Sequence, residues 1–260
     1  SISKILVSEP TLSVRELMET DALPIDANMN DKEVSILFEQ NDLISAPVID
    51  KNSKLVGRIT VDDVVDVIRE DADQNLMSIT GIAEDTFAAP ARAARSRVIW
   101  LSINLITAFI AAMTINLFES TIDKLVYLAV LMPIVASMGG IAGSQSLALV
   151  IRAQALDQIG SSNSKLLILK ESAIGLLNGI IWSGVIAAIV YFWFDSVFLG
   201  GVIAAAIMIN LIIGAISGVS LPLILEKLDI DPALAGGVIL TTITDVVGFV
   251  SLLGIATFLM

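Results

Sequence analysis

Asp245 is the only ionisable residue between Ala233 and Met260, and it stands near the middle of a stretch apolar enough to cross a bilayer. A carboxylate at that depth costs about 2.5–3.5 kcal/mol even by the gentler insertion scales, so a wet path, a cation or a partner side chain must offset it. The chemistry open to it is electrostatic: holding a hydrated cation, carrying a proton or pairing with another group. The plainer alternative is an Asp hydrogen-bonded to Thr241 or Thr244 inside a helix bundle. A second concentration of acids comprises Asp62, Asp63, Asp66, Glu70, Asp71 and Asp73. Asp63, Asp66 and Glu70 are spaced by three and four, along one helical face, where like charges repel by a few tenths of a kcal/mol per pair. A divalent cation would relieve that repulsion; a solvated acidic face is the alternative.

The residues that are missing narrow the chemistry further. The 260-residue chain contains neither Cys nor His, which excludes thiol catalysis, thiolate or imidazole metal sites and a His-based proton relay. Any metal handled here is held by oxygen, which suits hard cations such as Mg²⁺ or Ca²⁺. No nucleophile–base pair or phosphate loop is recognisable, so the chain is not expected to be an enzyme. A net charge of −12 argues against nucleic acid as a partner, because binding phosphates takes Lys and Arg.

Those groups must be carried by two unlike portions. A hydrophobic content of 55% and a mean hydropathy of +0.85 do not suit an ordinary soluble domain. Most of the charge precedes residue 98, so an acidic soluble portion leads into a membrane portion. A hydrocarbon core of about 30 Å takes about 20 helical residues. Segments at Val98–Phe118, Leu125–Ile151, Ile174–Phe194, Phe198–Leu225 and Leu234–Met260 are long enough. Arg92, Arg95, Arg97, Arg152, Lys165, Lys170 and Lys227 fall on one face of this arrangement and only Lys124 on the other. The excess of basic residues predicts a cytoplasmic N-terminus and Met260 outside. The mixed, charged N-terminus has no apolar core of the kind a signal peptide needs.

The second span is distinctive, because Pro133, Gly139, Gly140 and Gly143 punctuate it. Irregular backbone at membrane depth is tolerated where it is buried in protein or lines a wet cavity, so a broken helix beside an ion path is one reading. Close helix packing is the other, since Gly139 and Gly143 have the spacing of four that lets backbones approach. Asn104, Asn178 and Asn210 are polar residues inside other spans, adequately explained by hydrogen bonds between helices.

In the soluble portion, Asp31–Asn41 has helical spacing with Val34, Leu37 and Phe38 inward. Ile44–Asp50 and Lys54–Ile59 read as strands around a turn at Lys51–Ser53, and Thr60 can cap a helix from Val61. Such a unit is small and needs a second layer over its sheet. Ala46–Asp50 followed by Gly57–Asp63 resembles the second repeat of a cystathionine-β-synthase (CBS) pair. Ser1–Pro10 resembles only the tail of a preceding repeat, so a fragment or a shortened relative completed by a partner subunit is expected. CBS domains that bind ATP or another adenosine nucleotide are similar at Gly57, Thr60 and Asp63. A capping Thr followed by first-turn acids is also ordinary helix-start chemistry.

The CBS half, the charged connector and the five spans together resemble the MgtE family of magnesium channels and transporters. The landmarks are Val61–Asp71, Phe118–Ser120, Pro133–Gln145, Asp231–Leu234 and Thr242–Gly248, in order along the chain. The resemblance implies an α-helical membrane protein with five transmembrane helices and a small N-terminal α/β CBS-type cytosolic domain. It divides the chain into a partial CBS pair (1–70), an acidic-to-basic connecting helix (71–97) and the membrane domain (98–260). It implies a homodimer in the bacterial inner membrane, surrounded by lipid, that admits Mg²⁺ and is closed by intracellular Mg²⁺. Asp245 then corresponds to the pore ion site, with Gly139, Gly140, Gly143 and Thr241 as candidates to line the pore. Asp63, Asp66 and Asp71 correspond to acids of the sensor. Gln74 and Asn75 stand where further acids often occur, Ile141 where Asn often occurs, and Gly237 where some relatives carry Asn. The competing expectations are an ion-coupled secondary transporter of another divalent cation and a CBS nucleotide-sensing membrane receptor.

Overall fold

The computed structural model describes residues 2–18, 22–79, 89–156, 158–159 and 163–260, and of residues 2–4, 71–79 and 96 the backbone only. The chain divides into two compact units, Ser1–Gln74 and Asn75–Met260.

In the first unit, α1 (Ile2–Val7) and α2 (Val14–Leu17) precede β1 (Ile25–Asp26), α3 (Asp31–Gln40), β2 (Ser45–Ile49), β3 (Leu55–Thr60) and α4 (Val61–Ile79). The helix–strand–strand–helix order read from the sequence is present. The Asn30 side chain starts α3 by accepting from the Lys32 N–H at 2.9 Å, satisfying one of the amides a helix start leaves unpaired. The sheet runs β1-β2-β3, parallel then antiparallel, with Ala46 opposite Ile59. The hairpin closes because the Asp50 carboxylate accepts from the Asn52 and Lys54 amides, both at 2.9 Å, with Ser53 left-handed at φ 57°. Ile25, Val34, Phe38, Ala46 and Val64 form the core. Ile44 and Leu55 stay 79% and 65% exposed, which fits the second layer the sequence calls for.

The second unit contains five helices long and apolar enough to cross a membrane. They are α5 (Pro90–Asn116), α7 (Tyr127–Ala155), α8 (Ser164–Phe194), α9 (Val197–Lys227) and α10 (Pro232–Leu259), with the short α6 (Glu119–Lys124) between the first two. Pro90 and Pro232 both occupy N-terminal positions, where their missing N–H is no loss. Asp231 caps α10 by accepting from the Ala233 N–H at 2.8 Å. The two-residue link between α8 and α9, with Asp195 left-handed at φ 48°, makes those helices antiparallel neighbours. Of the connecting stretch 71–97, residues 80–88 lie outside the described residues; 71–79 continue α4 and 90–97 open α5.

Helix α9 is the axis of the bundle. Ile203, Ala206, Ile207, Asn210, Leu211, Gly214, Gly218 and Val219 are buried at helical spacing, so its apolar face is inside protein rather than lipid. Helix α7 lies against it through small residues. A Cβ on Gly214 would be 2.6 Å from the Gly139 carbonyl oxygen, and one on Gly143 would be 3.0 Å from that of Gly214. This backbone approach is what glycines at a spacing of four permit.

The expected break in the second span is therefore corrected. Helix α7 is continuous for 29 residues. Pro133 forgoes the one hydrogen bond that its missing N–H would make to the Ala129 carbonyl. Its glycines keep the helix hydrogen bonds that lipid enforces and use their small size for packing.

Candidate cation groove

Helices α7 and α10 do not close against each other along their whole length. Between them runs an open groove of about 560 Å³, lined by Ala136, Ser137, Gly140, Ser144 and Gln145 of α7 and by Thr241 and Asp245 of α10, among others. The α7 residues recur at intervals of one, three and four, one face of a helix, and Thr241 and Asp245 are one turn apart. Asp245 is the fourteenth of the 28 residues of α10 and so sits at mid-span.

Two hydroxyls of the groove, those of Thr241 and Ser144, are turned the same way. The Thr241 hydroxyl donates to the Val238 carbonyl at 3.0 Å and to that of Gly237 at 3.1 Å, and the Ser144 hydroxyl donates to the Gly140 carbonyl at 2.8 Å. Their hydrogens are used within their own helices, so the lone pairs are what they offer to the groove. Asp245 is half-buried and has no hydrogen-bond or ion-pair partner among the described residues. Thr244 donates back to the Leu240 and Thr241 carbonyls, each at 3.1 Å. The Asp–Thr pairing that would have made Asp245 a structural residue is thus not formed. A partly desolvated carboxylate flanked by acceptors is chemically suited to a cation.

Among the residues expected to line a pore, Gly140 and Thr241 border this groove, whereas Gly139 and Gly143 do not. They are buried, and added methyls there would strike the Asn210 amide and a Leu240 methyl, the latter at 2.8 Å. Their small size is used for helix contact, the alternative that their spacing offered. Gly237 borders open space and Ile141 is exposed along the groove.

Sequence reasoning passed over Glu171. It is only 6% exposed and accepts from the Ser146 hydroxyl at 2.8 Å, with the Lys170 ammonium 4.0 Å from its other oxygen. The hydropathy pattern places the third span from residue 174, but α8 begins at Ser164, so Glu171 lies two turns inside a helix. Its signal is an acid at the spacing of four from Gly175, a residue pressed against Ala215 of α9.

In the first unit, Thr60 and Asp63 meet. The Asp63 carboxylate accepts from the Thr60 amide and hydroxyl, both at 2.9 Å, as a first-turn acid reaching back over the start of α4. Those two hydrogen bonds, backbone first, hold the Asp63 carboxyl below the usual carboxylate range. Gly57, three residues upstream on β3, borders open space. Asp66 is exposed one turn beyond Asp63, while the side chain of Asp71 lies outside the described residues. Among the described residues no three acids converge to form a closed metal cage.

Taken together, the chain is a multi-pass α-helical membrane protein with a carboxylate-bearing groove, preceded by a small α/β unit. Residues 132–255 match the family MgtE, described as a divalent cation transporter, and residues 14–70 match the CBS domain. The membrane unit is accordingly an MgtE-family domain and the N-terminal unit a CBS domain. The chain is 36% identical over 259 residues to the magnesium transporter MgtE of Bacillus subtilis, covering 99% of this chain and 57% of that protein. It is 29% identical over 264 residues to the magnesium transporter MgtE of Thermus thermophilus, covering 100% of this chain and 58% of that protein. A similar match, 28% over 261 residues, is to the magnesium transporter MgtE of Enterococcus faecalis, with coverage of 100% and 58%. The chain therefore spans a little over half the length of the relatives it matches.

Proposed function

We propose that this protein carries Mg²⁺ passively into the cell along the Asp245 groove, with intracellular Mg²⁺ acting at the CBS unit to shut the route. The observation that carries the reading is the unpartnered, half-buried carboxylate of Asp245 at mid-span, on an open groove that it shares with the acceptor oxygens of Thr241 on its own helix and Ser144 on α7. Relatives named as magnesium transporters support the choice of cargo.

The energetics favour a hydrated ion over a bare one. Mg²⁺ dehydrates reluctantly and is commonly held by one or two carboxylates while keeping several waters. At an effective dielectric constant of about 20, a divalent ion about 5 Å from one carboxylate gains roughly 6–7 kcal/mol. That exceeds the cost of about 2.5–3.5 kcal/mol for holding the Asp at this depth, so the cation is what makes the residue tolerable. Thr241 and Ser144 present lone pairs to the water hydrogens of the ion's inner shell. An inside-negative potential drives entry by about 2.3 kcal/mol per charge per 100 mV, without a coupling ion.

The groove is open along one side, and in this reading a second copy of the chain supplies the opposite wall and a second Asp245. The homodimer sits in the bacterial inner membrane, with the CBS unit cytoplasmic and Met260 outside. Asp63, Asp66 and Asp71 are the sensor acids: binding of Mg²⁺ relieves their mutual repulsion and favours the closed state. The Thr60–Asp63 contact is accounted for by the start of α4, so no nucleotide enters the reading. Neither does an enzymatic step.

The test is Mg²⁺ entry into proteoliposomes under an imposed inside-negative potential, with no proton or sodium gradient. Entry that scales with the potential and is competed by other divalent cations is expected. Entry that requires a proton or sodium gradient would replace this reading with an ion-coupled transporter.

A further inference from the structure

Inside the bundle, α7, α9 and α10 meet at one polar residue. Asn210 of α9 is fully buried. Its Nδ2 donates to the Val135 carbonyl of α7 at 2.8 Å, while its Oδ1 has no hydrogen-bond partner among the described residues. The donation fixes which way the amide points, because the reverse orientation would set two acceptor oxygens against each other.

The amide is wedged between two glycines on the helices that form the groove. A Cβ on Gly139 of α7 would overlap it, and one on Gly248 of α10 would lie 2.8 Å from Nδ2 and 3.2 Å from a Val135 methyl. Both glycines are close in sequence to the groove itself. Gly139 adjoins Gly140, which borders it, and Gly248 is three residues from Asp245. An apolar side chain of similar size would fill the space without leaving an acceptor unpaired in a buried setting, a penalty of about 1–3 kcal/mol. The amide thus adds a directional attachment to α7 that bulk alone would not supply.

We propose that Asn210 is the positioning residue of the groove: its amide, held by the Val135 carbonyl and seated between Gly139 and Gly248, sets the separation of α7 and α10 and hence the reach of Asp245 across the groove. The inference rests on the reading of the groove as the cation's route. It predicts steric coupling between residues that never touch the cation. Asn210→Ala removes the spacer, Gly139→Ala overfills its seat, and Asn210→Leu keeps bulk but loses the attachment.

The experiment combines transport with a distance measurement in the full-length chain. Half-saturating Mg²⁺ is compared in proteoliposomes holding equal amounts of folded protein. Asn210→Ala and Gly139→Ala are each expected to raise it by about tenfold, with the maximal rate changed less. The double variant should lie closer to the parent than either single one, a non-additivity expected only of residues sharing one space. Asn210→Leu should fall between the parent and Asn210→Ala. Because the chain contains no Cys, spin labels on Ser137→Cys and Thr241→Cys report the wall separation directly. That distance should shift or broaden in each single variant and return in the double. Asn210→Ser, which shortens the side chain but keeps a polar group in the seat, carries the same comparison if Asn210→Ala does not assemble. Additive losses with an unshifted distance would overturn the proposal and leave Asn210 as ordinary interhelical packing. If the parent protein moves no Mg²⁺, the transport reading fails while the distances still decide the spacer role.

Discussion

Three carboxylates lie in the transmembrane helices among the described residues; Glu226 stands at the very end of α9 and accepts from Gln154, and the two further inside, Glu171 and Asp245, have opposite surroundings. Glu171 is buried, bonded to Ser146 of the neighbouring helix and approached by Lys170. Asp245 is half-buried on an open groove and has no protein partner among the described residues. A buried acid that is fully employed by its neighbours holds helices together. One left unemployed at mid-span destabilises the bundle unless something mobile meets its charge. The difference is what singles out Asp245 for the proposed cation route, and residue type alone could not make it.

Substitutions at the two acids should leave different signatures. The largest effect is expected from Asp245→Lys. A cation at that point repels a divalent ion by several kcal/mol at an effective dielectric constant of about 20, so Mg²⁺ entry should fall by more than about 100-fold in vesicles. Glu171→Ala should act on the fold instead. It strands the buried Ser146 hydroxyl at a cost of about 1–3 kcal/mol, seen as a lower thermal midpoint, with transport per folded molecule within about twofold. Glu171→Gln should recover much of that stability, because its amide oxygen still accepts from Ser146. A large transport defect in correctly folded Glu171→Gln would dissolve the contrast between the two acids.

Thr241→Val tests the groove beyond its charge. It keeps the shape and removes one acceptor, so half-saturating Mg²⁺ should rise by about two- to fivefold, the scale of one modest hydrogen bond. The smallest effect belongs to the CBS unit. Asp63 has a folded pKa lowered by hydrogen bonds from Thr60. The stabilisation it gives is therefore complete above the unfolded carboxylate pKa, near 3.9, and lost as pH falls through the lower folded value. Asp63→Asn should flatten the acid limb of the unit's stability profile below about pH 4, measured by circular dichroism.

Much of this arrangement was legible in the sequence, in places where one strong physical rule decides. The apolar segments are long enough to span, and all five helices are present, because nothing but a helix satisfies a lone backbone in lipid. Their ends were less legible. Helix α8 starts ten residues before the apolar run at Ile174, since hydropathy registers apolar side chains whereas a helix also extends through charged turns beyond the apolar run. That offset concealed Glu171. The glycines of α7 gave two readings, and tertiary packing against α9 settled Gly139 and Gly143 as contact residues while leaving Gly140 on the groove. Asp245 stood out at once because its cost is intrinsic. Its lack of a partner depends on where Thr241 and Thr244 donate, which is known only once the helix is folded.

Mg²⁺ entry through Asp245→Asn beside the parent protein, both reconstituted as folded chains under the same membrane potential, isolates the charge of that carboxylate. The isosteric amide preserves the shape of the groove and removes only the charge. Entry is expected to fall by at least about tenfold while the thermal midpoint stays level or rises, because an unpaired mid-span carboxylate has been relieved. Entry at the parent rate with unchanged cation selectivity would contradict the proposed route.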